Sequence, residues 1–262
     1  MDVRKQLRLL RHPIHLSPPF DSSPPEPVLP LVQVLSEPPC EYVPARLRDW
    51  IKSSTHETEI APDHTVDFHS KYDDAEIAAW KKYADDLQNP PEVLLELINR
   101  AFELDTSSGS MLSIQESGSL SIAKGLLPFP SGSPIPSVKT DFLLQINPKH
   151  PNVARIFSSF FSRNPETSLS AFDDAIASKT LTGAIIIFTS GTLDDGIYRF
   201  SVTSAAILAR LSGLRKSGGF GDLVQMPVIG WVVHCRDWYL LLAYQQDGPS
   251  TVWRIYPIEG VY

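Results

Sequence analysis

The side chains that could do chemistry in this chain are scattered, and few fall at spacings a reaction requires. His56, His64 and His69 lie among Glu57, Glu59, Asp63 and Asp67. These are metal-ligating types, but no two of the histidines stand at the i, i+4 interval of a helical pair, and no second cluster answers them. A solvated loop is the plainer reading. Thr189-Ser190-Gly191-Thr192 follows an apolar run and would present hydroxyls at a strand end. His234 and Tyr239 stand on either side of Arg236-Asp237, a tight turn that would make them neighbours. No Gly-x-Ser-x-Gly elbow and no Walker loop is present. Gly218-Gly219-Phe220-Gly221 follows a helical stretch instead of opening one, so it reads as a turn and not a dinucleotide cradle.

The elements that must position these groups are set by periodicity and punctuation. Residues 1–45 hold ten of the 23 prolines, including Pro18-Pro19, Pro24-Pro25 and Pro38-Pro39. Proline fixes φ and has no N–H, so this segment is expected to be an extended arm, neither helix nor central strand. It reads as a linker, with a docking peptide for a partner as the alternative. Residues 46–72 read as a connector, a short helix over 46–53 and then the histidine-bearing loop. The main domain is expected over 73–262.

That domain opens with a helix over 73–87, which Asn89-Pro90-Pro91 breaks. A second helix over 92–104 gathers Val93, Leu94, Leu97, Ile98 and Phe102 on one face, with Glu96 amid the stripe. From Met111 the period shortens to that of strands. A turn-rich loop over 128–137 leads to a strand over 139–146, ended by Asn147-Pro148, and then a helix over 152–161. Residues 183–189 form a continuous apolar, β-branched run, the pattern of a strand buried on both faces. The spacing predicts a turn over 191–196 and a helix over 200–215, with Val202, Ala205, Ala206, Leu208 and Ala209 facing inward. Three strands close the chain, over 228–235, 238–244 and 251–257. This order predicts an α/β (α+β) domain with a mixed central sheet flanked by helices.

Composition narrows the class. Of 262 residues, 42% are hydrophobic and 20% charged, enough apolar side chain for a sizeable core. With 23 Lys+Arg against 30 Asp+Glu the net charge is -7. Such a chain has no global field that attracts nucleic acid, so that partner is disfavoured and would need a local basic patch. Arg199, Arg210, Arg215 and Lys216 supply one candidate, with a solvated helix face as the plainer reading. Cys40 and Cys235 are too few for a zinc cluster or a disulfide scaffold and fit a reduced, intracellular chain, cytoplasmic or nuclear. No apolar run approaches the roughly 20 residues of a membrane span. The basic stretch Met1 to Leu10 runs into polar Arg11, His12 and His15, where a signal peptide would place apolar residues.

The order of elements and four local phrases resemble the fungal branch of the PD-(D/E)XK nuclease-like superfamily. Pro91-Glu92-Val93-Leu94-Leu95-Glu96-Leu97 resembles its first core helix, which carries an acid. Ala123-Lys124-Gly125-Leu126-Leu127-Pro128, leading to Val138-Lys139-Thr140-Asp141-Phe142, resembles the approach to the strand bearing the motif's first aspartate. The helix after Asp195, with Ala205, Ala206 and Leu208, sits where the family places its next core helix. Met226-Pro227-Val228 and then His234-Cys235-Arg236-Asp237-Trp238-Tyr239-Leu240-Leu241-Leu242-Ala243 resemble its closing hairpin. The resemblance covers residues 73–262 and implies a restriction-endonuclease-like core. The family's final helix has no counterpart before Tyr262.

The resemblance also implies a chemistry. Phosphodiester hydrolysis by such a fold uses a divalent metal to polarise the phosphate and activate water. Carboxylates from adjacent strands hold that ion, and a lysine two residues after the second acid offsets transition-state charge. By resemblance, Asp141 stands at the first aspartate and Glu96 at the helix acid, and Asp141 is the metal ligand if there is one. The expected Glu-x-Lys is missing, because no carboxylate or ammonium lies between Thr180 and Leu193. Lys139 and Lys179 are the lysines that could migrate in to replace the missing one. Ala205-Ala206 replace a helix glutamine common in the family. Three functions are expected in turn. The first is a degenerate domain that binds or scaffolds. The second is a repurposed small-molecule enzyme, using a cleft lined by Ile187, Thr189, Ser190, His234 and Tyr239 beside Asp141 and Glu96. The third is a nuclease with a migrated site using Asp141, Glu96 and in addition Asp194 or Asp195, which alone would call for Mg²⁺ or Mn²⁺.

Overall fold

The computed structural model describes residues 3–10, 13–16, 29, 110–118, 120–127, 138–174, 177–217, 227–234 and 237–246, and by backbone alone 43–44, 65–66 and 252–258. The predicted helices over 46–53, 73–87 and 92–104, with Glu96, and the histidine cluster's side chains lie outside the described residues.

Seven strands form one mixed sheet. They are β1 (Ile14–Leu16), β4 (Leu112–Glu116), β5 (Phe142–Ile146), β6 (Thr182–Thr189), β7 (Val228–His234), β8 (Asp237–Gln246) and β9 (Val252–Ile258). The two-residue strands β2 (Val43–Pro44) and β3 (Thr65–Val66) pair separately. The order across the large sheet is β1-β9-β8-β7-β6-β5-β4. Strands β6 and β7 run parallel, joined by a long helix, and so do β1 and β9; the other neighbours are antiparallel. Among the described residues the α-helices are α1 (Val3–Arg8), α2 (Pro151–Arg163) and α3 (Leu193–Ser217). Among the described residues no helix is long and apolar enough to cross a membrane.

Strand β6 shows why its sequence is apolar at every step. Ile185 and Ile187 pack against α3 with Phe200, Ala206 and Val232. Ala184 and Ile186 pack on the opposite face with Phe142, Leu144 and Val233. Alternation would leave one face wet, so only an unbroken run suits a strand buried on both sides. Pro151 occupies the first turn of α2, where its missing N–H costs no hydrogen bond. Val153 and Phe157 then face Leu169 and Leu214.

Two boundaries differ from the sequence reading. The helix expected over 200–215 begins at Leu193, and the stretch read as a turn over 191–196 contains its first residues. The start is fixed by a reciprocal cap. The Thr192 N–H donates to Asp195 Oδ2 (3.1 Å), and the Asp195 N–H donates to Thr192 Oγ1 (3.2 Å). Gly196, which looked like a turn residue, lies inside the helix because it touches the sheet. A methyl there would overlap Val232 and press on Thr189. Gly230 on β7 does the same from the other side, since a Cβ would overlap the Phe200 ring. Together they let α3 lie close on the sheet. From Phe200 to Leu208 every residue of α3 is buried. The hydroxyls of Ser201 and Ser204 are satisfied within the helix, on the carbonyls of Ile197 (2.6 Å) and Ser201 (3.1 Å).

The second difference lies at the start of the chain. The extended arm expected over 1–45 does not hold for its first residues. Val3–Arg8 is helical and Ile14–Leu16 joins the sheet edge. The prolines begin only at Pro13, so nothing bars a helix before it. Leu7 and Ile14 are fully buried.

Candidate functional site at the ends of the central strands

Asp141 precedes β5, and the strand pairing decides what faces it. Phe142 lies opposite Ile186 in the antiparallel β5–β6 ladder. The ladder ends at that pair, and just beyond it the Asp141 N–H donates to Ile186 O at 3.3 Å. Asp141 thus meets the end of β6, whose last residues are Ile187-Phe188-Thr189. Ile187 is fully buried against α3, and Thr189 is buried at the strand end. Ser190 is exposed in the bend after β6.

The Asp141 carboxylate is already engaged. Its Oδ2 accepts the Phe188 N–H at 2.8 Å and an Arg199 N–H at 2.9 Å. Arg199, two turns into α3, uses the rest of its planar fork on two backbone carbonyls. Its Nε donates to Lys139 O at 2.6 Å, and Nη1 donates to Phe188 O at 2.8 Å. One guanidinium thus ties the start of β5, the end of β6 and α3 together. Arg199 is 23% and Asp141 34% exposed, so the pair sits at the rim and not in the core. Lys139, a candidate for the missing lysine's role, contributes its carbonyl to this clamp.

The remaining candidates lie along the same end of the same face. Thr189 stands beside His234 in the parallel β6–β7 register. Tyr239 on β8 is opposite Val232, which makes it the diagonal same-face neighbour of His234. Thr189 Oγ1 donates to Thr192 O at 3.2 Å, and His234 Nε2 lies 3.1 Å from Gly191 O. Tyr239 is half-buried against the α3 side of the core. The hydroxyl of Thr189 and the imidazole of His234 thus hold the loop that leads into α3. Asp195 is drawn in the same way. The Thr192 amide, then the Thr192 hydroxyl, hold its carboxyl below the usual range, against a desolvation that raises it, and Arg199 one turn on adds to the lowering. The basic helix face divides likewise, because Arg210 Nε donates to Ser170 O at 3.0 Å.

A divalent cation of the kind this fold type uses needs converging carboxylate oxygens. Asp141 is held by a guanidinium, and Ile187 and Thr189 bring no acid. Among the described residues no group of three or more His, Cys, Asp or Glu gathers. The described residues do not by themselves fit a metal of that kind. Sequence reasoning missed Arg199 as a partner of Asp141 and placed it on a solvated face. The available signal was its isolation, since it is the only basic residue from Thr180 to Ala209, a charge that burial obliges to find a partner.

No curated protein and no solved structure matches the chain. A family model, the PD-(D/E)XK nuclease superfamily, matches residues 46–259. Its span takes in Asp141, the β5–β6 pair and α3, and the mixed sheet flanked by helices is the architecture that such a core requires. The chain belongs to the PD-(D/E)XK nuclease superfamily.

Proposed function

We propose that this protein is a degenerate member of the superfamily, an intracellular binding or scaffold module without efficient nuclease activity. One observation carries the reading. Arg199 occupies the carboxylate of Asp141, which by resemblance stands for the motif's first aspartate, and the end of β6 beside it, Ile187-Phe188-Thr189, carries neither Glu nor Lys. A fixed positive charge on Asp141 opposes entry of a second cation. An apolar side chain in place of a carboxylate removes the oxygen that would share it. Losing such electrostatic stabilisation costs a hydrolytic site several kcal/mol of its transition-state binding. The net charge of -7 argues for a partner other than nucleic acid.

The test is cleavage of single- and double-stranded DNA and RNA with Mg²⁺ or Mn²⁺, run beside Asp141→Asn. The expected result is equal, background-level products from both proteins. Cleavage by the wild type that disappears in Asp141→Asn would overturn the reading.

A further inference from the structure

The family match begins at residue 46, yet the sheet is completed by residues from outside it. Strand β1 pairs in parallel with β9 through Ile14, His15 and Leu16, opposite Trp253, Arg254 and Ile255. Helix α1 lies against α3. Leu7 and Ile14 are fully buried in the core cluster on that side, and Leu10 and Leu16 pack against the same cluster. The segment therefore contacts the domain as a peptide ligand would, through Leu7 on a short helix and Leu10 just past its end, and then through Ile14 and Leu16, two apart on an extended stretch.

The next stretch of chain differs in kind. Residues 17–42 contain eight prolines in 26 positions and no sustained helical or strand period. A stretch of that length reaches at most about 90 Å. Read as the linker its composition suggests, a stretch of that length would keep a detached segment near its site at an effective concentration on the order of millimolar.

We propose that the groove between α3 and the β9 edge is a docking site for a helix–strand polypeptide segment, and that residues 3–16 are its tethered, exchangeable occupant. The partner that fits is a polypeptide bearing apolar residues in that same pattern, which adds its strand to β9 as residues 14–16 now do. It binds by displacing the resident segment, so residues 3–16 set the affinity a partner must exceed. This inference does not depend on the state of the Asp141 site.

The test uses the full chain and a fluorescein-labelled peptide of residues 1–18. Leu7→Asp together with Ile14→Asp vacates the groove. Fluorescence anisotropy is expected to show the peptide binding the double variant at least about tenfold more tightly than the wild type, whose site is filled in cis. A scrambled peptide binds neither. Absence of binding to the folded variant, or equal binding to variant and wild type, would overturn the proposal. If the double variant does not fold, a second form decides. A protease site placed between residues 20 and 28 of the otherwise native chain is cut, and the released segment is chased with labelled peptide. Exchange within hours and retained folding support the proposal. A cut chain that unfolds, or that keeps its segment for a day, shows residues 3–16 to be an inseparable part of the core.

Discussion

Arg199→Ala tests the central geometry most directly. The substitution removes three hydrogen bonds at once, to Lys139 O at 2.6 Å, Phe188 O at 2.8 Å and Asp141 Oδ2 at 2.9 Å. Hydrogen bonds to charged groups contribute about 1.5–3 kcal/mol each when enclosed. Here the pair is 23% and 34% exposed, so water replaces part of what is lost. The total loss should be about 2–3 kcal/mol. Asp141→Asn keeps an oxygen for the Phe188 N–H and removes only the charge, so about 1 kcal/mol is expected. The double variant should then show a coupling of about 1 kcal/mol, at the upper end for a rim pair. Arg199→Lys should fall between, because one ammonium does not reproduce a planar fork spanning three acceptors. Urea unfolding followed by circular dichroism gives these values from the midpoint, provided the slope is unchanged. Repeating the cycle at 1 M salt should shrink the coupling. A loss below about 0.5 kcal/mol for Arg199→Ala, or a coupling near zero, would refute the clamp and with it the argument that Asp141 is held away from a metal.

Other outcomes rest on the same set of contacts. Gly230→Ala places a methyl in the Phe200 ring and should cost about 1–3 kcal/mol, read as a lower urea midpoint, with Phe200→Leu in the same chain restoring part of it. Thr192→Ala removes one half of the α3 cap and should cost about 0.5–2 kcal/mol in the same assay. The Asp195 carboxyl is held below its usual range in the folded chain, so its contribution is present above the ordinary carboxylate range and is lost as pH falls through its lowered value. The thermal-midpoint gap between wild type and Asp195→Asn should therefore narrow from pH 6 to pH 3; a gap independent of pH would contradict the cap.

Much of the fold was legible in the residues. The unbroken apolar run now seen as Thr182–Thr189 could only be a strand covered on both faces. The turn residues around 236–237 and 247–249 separated the last three strands. The absence of any charge from Thr180 to Leu193 was equally plain, and it already argued against a Glu-x-Lys strand. These are local facts, and local sequence carries them.

The tertiary structure alone decided which distant groups meet. Arg199 reaches Asp141 across 58 residues, and Leu7 and Ile14 enter a core whose other members begin more than 100 residues later. Neither contact leaves a period in the sequence. Gly196 was read as a turn because a glycine beside Asp194-Asp195 usually marks one. In the fold it is the point where α3 touches Val232, and closeness of helix to sheet outweighs its weak helix propensity. Periodicity reports which face of an element is apolar. It does not report which charge on one element will be buried against which carboxylate on another, because that pairing is set by sheet order and helix placement after collapse.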